Sequence, residues 1–73
     1  MTAKEWIAAY AERLGVEPPT AAELKAILEL AAEAAHASER IAAPVACWLS
    51  ANAGRSLEES LALAREMTGD FDA

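Results

Sequence analysis

Three reciprocal capping signatures divide this chain. Thr2-Ala-Lys-Glu5, Thr20-Ala-Ala-Glu23 and Ser56-Leu-Glu-Glu59 each set a hydroxyl three residues ahead of a carboxylate. In such a box the hydroxyl accepts from an orphan N–H of the first helical turn, and the carboxylate reaches back to the cap's own N–H. Helix starts are thereby marked just after Thr2, Thr20 and Ser56. The chain's three glycines, Gly15, Gly54 and Gly69, close helical patterns, because glycine adopts the left-handed conformation that ends a helix. No strand alternation and no fixed-period repeat is visible. The expected class is all-α.

Helix 1 is expected from about Ala3 to Leu14, with Trp6, Ile7, Tyr10 and Leu14 on one face. Val16-Glu-Pro-Pro19 follows as a stiff, extended connector. Helix 2 opens after Thr20 and carries a stripe of Leu24, Ile27, Leu28, Ala31, Ala34, Ala35 and Ser38, with Leu30 toward one flank. Its pattern can continue to Glu39 or Arg40. Pro44 pushes Ala43 out of the helical region and suits the first turn of a third helix. One kinked helix through Pro44 is the alternative. Helix 3 runs to about Ala53, with Val45, Trp48, Leu49 and Asn52 on one side. Helix 4 begins at Ser56, turns Leu57, Leu61, Ala64 and Met67 or Thr68 inward, and ends at Thr68-Gly69. The expected architecture is a single domain over residues 1–69, with a frayed tail over 70–73. Its four helices form a small antiparallel up-and-down bundle with a proline break between helices 2 and 3.

At 73 residues the chain is one domain at most, with a core too small to be generous. Cys47 is the sole cysteine, so no internal disulfide can compensate. Helix packing and association remain as sources of stability. Twelve acidic against six basic residues give a net charge of −6. Nucleic acid and anionic membranes, which require a cationic surface, are disfavoured. No basic segment leading into an apolar run opens the chain, and no stretch approaches a membrane span. A cytoplasmic location is expected, in keeping with the lone cysteine.

The singular residues concentrate between Glu33 and Leu49, which holds the only His and Cys, together with Trp48 and Pro44. On a helical wheel His36 points roughly 140° from the apolar stripe. Glu29, Glu33 and Arg40 share that outward face, with Glu39 at its border. This cluster reads either as a solvated face of ion pairs or as a recognition patch beside Pro44. In the second case Arg40 would pair with a carboxylate or phosphate of a partner, and His36 would donate a hydrogen bond. Glu33-Ala-Ala-His36 matches half of a di-iron motif, but that chemistry needs two such motifs and further inward carboxylates. No metal or other cofactor is expected. Cys47 reads as a small apolar residue and not a nucleophile. No hydrolytic triad and no phosphate loop can be assembled, so the chain is not expected to be an enzyme. Trp6 and Trp48 read first as core anchors; either, if exposed, becomes a binding anchor. Ala26, Ala37, Ala42, Ala43 and Ala46 would let another helix approach closely. The candidate partner- or ligand-binding residues are His36, Glu39, Arg40, Pro44 and Trp48.

Three segments together resemble the DUF6457 family of small actinobacterial helical domains. They are the turn Leu14-Gly-Val-Glu-Pro-Pro19 after a Trp-bearing helix, the segment Ala35-His36-Ala-Ser-Glu39-Arg40-Ile-Ala-Ala-Pro44, and the helix end Ala53-Gly54. Where many relatives carry a glycine before the Glu-Arg pair, this chain has Ala37 and Ser38. The resemblance implies association with molybdenum cofactor guanylyltransferase-like proteins, beside or fused to which such domains occur. It also implies proximity to the sulfurtransferase accessory to formate dehydrogenase. The expected function is a non-catalytic adaptor or small subunit for molybdenum cofactor biosynthesis or a molybdoenzyme. Its partner would be a molybdoenzyme or a cofactor-assembly protein. The alternative is a small-ligand-binding or self-associating domain, including a homo-oligomer, with His36, Glu39 and Arg40 as its site.

Overall fold

Two of the capping boxes close in full. In the computed structural model, which describes the backbone of residues 1–72 and the side chains of residues 1–68, Thr2 and Thr20 each accept from the N–H three residues on, and Glu5 and Glu23 bond back to them. At the third start, Ser56 Oγ accepts from the Glu59 N–H at 3.1 Å, but the Glu59 carboxylate takes the Ser56 hydroxyl and Arg55 instead of the backbone. These caps launch α1 (Ala3–Leu14), α2 (Ala21–Ala37) and α4 (Leu57–Asp72), and α3 (Ala42–Ala53) lies between the last two. The described residues are helical with no strand.

Gly15 and Gly54 close α1 and α3 at φ of 77° and 72°. At Gly15 two bonds complete the cap, Gly15 N–H to Glu12 O and Val16 N–H to Ala11 O. The expected stop at Gly69 is not one. α4 continues to Asp72, into the stretch expected to be a tail, and Ala73 lies outside the described residues.

Helices 2 and 3 are separate elements. α2 ends at Ala37, two or three residues earlier than expected, and Ser38 leaves the helical region at φ −141° and ψ −100°. Its hydroxyl turns back to the Ala34 carbonyl at 2.8 Å. Ala42 N–H and Ala43 N–H then bond to Glu39 O and Arg40 O, which tightens the connection into α3. Ala43 is helical, so the chain breaks upstream of the residue before proline. Pro44 occupies the first turn of α3, where its missing N–H costs no helical bond.

α2 is the element on which the others depend. It packs against α3 and against α4. Among the described residues α1 shares no comparable packing with any of the three. The molecule extends 42 Å along its longest axis, well beyond the roughly 26 Å length of α2.

Serving two neighbours rotates the buried face of α2. Leu30, expected on a flank, is 3% exposed, whereas Leu28, expected on the stripe, is 60% exposed. On α4, Ser60 and Leu61 are buried and Met67 is exposed. The core is thin: the buried hydrophobic residues are Ala11, Leu30 and Leu61, and no large side chain is fully buried among the described residues. Neither tryptophan is a core anchor. Trp6 is 55% and Trp48 64% exposed. Trp6 stacks on Tyr10 with ring centroids 5.0 Å apart, one helical turn along the exposed face of α1.

Candidate functional site

The five candidate residues run along the α2–α3 corner and all are exposed. His36 lies in the last turn of α2, Glu39 and Arg40 in the connection, Pro44 in the first turn of α3 and Trp48 one turn further on. Pro44 and Trp48, four residues apart on a helix, share a face. Glu39 lines a shallow hollow with Ser38, Ile41, Ala42 and Val45.

The expected cluster around His36 is not assembled as a unit. Glu29 and Glu33 do not point outward with it. Both are half-buried and turn toward α4, where Arg65 lies 3.2 Å from Glu29 and 3.9 Å from Glu33. Two of the three carboxylates are thereby committed to holding α4 on α2. Among the described residues no ion pair engages His36, Glu39 or Arg40, and no group of three metal-ligating side chains forms. Cys47 is half-buried, with its thiol free. No described helix is long and apolar enough to cross a membrane.

A larger feature lies on α3. From Ile41 to Gly54 there is no charged residue, in a chain that is 25% charged. The signal was present in the sequence as an uncharged run, and only its exposure required the structure. A helix with no charge is ordinarily buried, yet Val45, Trp48 and Leu49 are each more than half exposed.

The inner side of α3 forms one wall of a groove of about 490 Å³. That wall is Ala42, Val45, Ala46, Leu49, Ser50 and Ala53. The facing wall is Ser60, Leu63, Ala64, Met67 and Thr68 of α4, and α2 contributes Leu30, Glu33, Ala34, Ala37 and Ser38. Each set follows helical spacing of three and four residues, so three helices turn a stripe toward one common space. Trp48 and Pro44 do not line it. They stand on a different side of α3, so that helix exposes apolar side chains on two sides. Ala37, Ala42 and Ala46, singled out as small residues open to another helix, do line the groove.

No curated protein and no solved structure matches the chain at a significant level. A domain of unknown function, DUF6457, matches residues 1–71. With nearly its whole length covered by that match, this chain belongs to the DUF6457 family.

Proposed function

We propose that this chain is a non-catalytic interaction module whose partner surface runs from Glu39 and Arg40 across Pro44 to Trp48. The observation that carries the reading is the exposure of Trp48 on an uncharged helix. Tryptophan and arginine are the residues most enriched where binding energy concentrates. Here Trp48 supplies apolar area, while Arg40 supplies a fork for a carboxylate. His36 borders the same corner as a further hydrogen-bonding group. The resemblance of the His36–Pro44 segment extends the proposal to an adaptor or small subunit in the cytoplasm of an actinobacterial host, serving molybdenum cofactor assembly or a molybdoenzyme.

The working form in this reading is the antiparallel four-helix bundle expected from the sequence, with its break between α2 and α3 at residues 38–41, upstream of Pro44. It is supported by the groove, which α2, α3 and α4 leave open with a stripe from each helix. The test is a tagged recovery from the host cytoplasm, run beside Arg40→Ala and Trp48→Ala. Recovery of a molybdoenzyme or cofactor-assembly protein by the parent, lost in both variants, is the expected result. Recovery of the chain alone overturns the adaptor reading.

A further inference from the structure

α1 is an amphipathic helix without a groove, and α2–α4 form a groove without a helix. On α1 the face of Trp6, Ile7, Tyr10 and Leu14 is left largely to solvent. Opposite α2, the groove walls carry exposed Val45, Leu49, Leu63 and Met67. α1 and α3 each have 12 residues, about 18 Å of helix, so α1 matches the length of the wall it would lie against.

We propose that α1 of one copy occupies the groove of a second copy, and reciprocally, so that the chain forms a two-fold exchanged dimer. This rests on the four-helix reading above and names where the fourth helix comes from. Three observations support it: the surface area and the charge fit burial of α1 in a groove, and the connector favours a second copy over closure of the chain on itself.

The first is the surface area. A folded monomer of 7.7 kDa exposes about 4,300 Å². This chain exposes 5821 Å², an excess of about 1,500 Å² per copy relative to that scaling. Two copies that lose this excess bury about 3,000 Å², within the roughly 2,000–5,000 Å² of obligate homodimers.

The second is the connector. Gly15 is fixed by its two cap hydrogen bonds. Pro18 and Pro19 lock their own backbone and push Glu17 into the extended region. Residues 15–20 thus act as a strut that carries α1 away from its own body, the arrangement from which helices exchange between copies.

The third is charge. The α3 wall has none, and α1 mixes Lys4 and Arg13 with Glu5 and Glu12. The net charge of −6 is therefore not concentrated where the copies would meet.

The experiment uses the full chain carrying Trp48→Phe, which leaves Trp6 as the only tryptophan. Sedimentation equilibrium and Trp6 emission are followed together through a dilution series. The expected result is a mass twice the 7.7 kDa of one chain with blue-shifted Trp6, and both revert together on dilution. Leu63 is 44% exposed, so Leu63→Glu is tolerated by the fold; added to this background, it should give monomers with water-exposed Trp6 and retained helical circular dichroism. A monomer with blue-shifted Trp6 means that α1 closes on its own chain, which keeps the four-helix reading and overturns the exchange. A monomer with water-exposed Trp6 overturns both. A dimer with water-exposed Trp6 pairs through another face and overturns the exchange.

Discussion

Arg65 of α4 donates to the Glu29 carboxylate of α2 at 3.2 Å, across 36 residues of sequence. The same guanidinium lies 3.9 Å from Glu33 one turn on, so a single cation ties α4 to two turns of α2. All three side chains keep solvent contact, which limits the contribution of the pair to about 1 kcal/mol at most. Arg65→Met retains the stem that covers apolar surface and removes the charge. Its thermal melt is expected to fall slightly at low salt and to match the parent at high salt. An equal fall at both salt concentrations would assign the role of Arg65 to packing.

Leu30 and Leu28 separate the observed buried face of α2 from the expected one. Leu30→Ala is expected to cost about 2–5 kcal/mol, the range for truncating a buried leucine. That is comparable to the whole stability of a domain this small. Leu28→Ala is expected to stay within about 0.5 kcal/mol, as for an exposed site. Urea denaturation followed by circular dichroism measures both, and the reverse ranking would restore the stripe centred on Leu28.

What could be read from the sequence was local. Thr2, Thr20 and Ser56 place their helices because a cap is a contact between neighbours three residues apart, and Gly15 and Gly54 stop theirs for the same reason. The rotation of α2 toward Leu30 was not legible, because a wheel finds one apolar centre and α2 has neighbours on two sides. A wheel assigns Glu29 and Glu33 to the outward face, because their partner, Arg65, lies a helix and two connections away. The positions of His36, Glu39, Arg40, Pro44 and Trp48 along the α2–α3 corner follow from chain order. The exposure of Trp6 and Trp48 does not, since an aromatic at helical spacing serves a core and an interface alike.

Glu5 gives α1 a pH dependence of known sign. Its carboxylate accepts the Thr2 N–H at 3.1 Å. That backbone bond first, and the side-chain bond to Thr2 second, hold its pKa below the ordinary 4.5. A carboxylate with a depressed folded pKa stabilises the fold above its unfolded value and loses that contribution as pH falls through the depressed value. Amide hydrogen exchange in α1 is expected to accelerate relative to α3, which starts without a side-chain cap, as the solution is acidified below about pH 4.5. Glu5→Gln keeps a capping-box residue at this position and is expected to remove the pH dependence while leaving α1 helical. Unchanged acid sensitivity in that variant would place its origin outside the cap.

Trp48 tests whether the exposed face of α3 is a binding surface or an accident of a small core. A buried tryptophan cut to alanine costs about 3–5 kcal/mol, whereas an exposed one costs about 0.5 kcal/mol or less. With Trp48 64% exposed, Trp48→Ala is expected to melt close to the parent. Against a recovered partner the same change should cost about 2 kcal/mol or more, as for an interface anchor, which is roughly a thirtyfold rise in Kd. Melting curves and a titration against that partner measure the two quantities on one variant. Stability unchanged with affinity lost locates the energy at the surface of α3. A loss of stability of the buried size would make Trp48 part of the core, and the partner surface would have to be sought on another face.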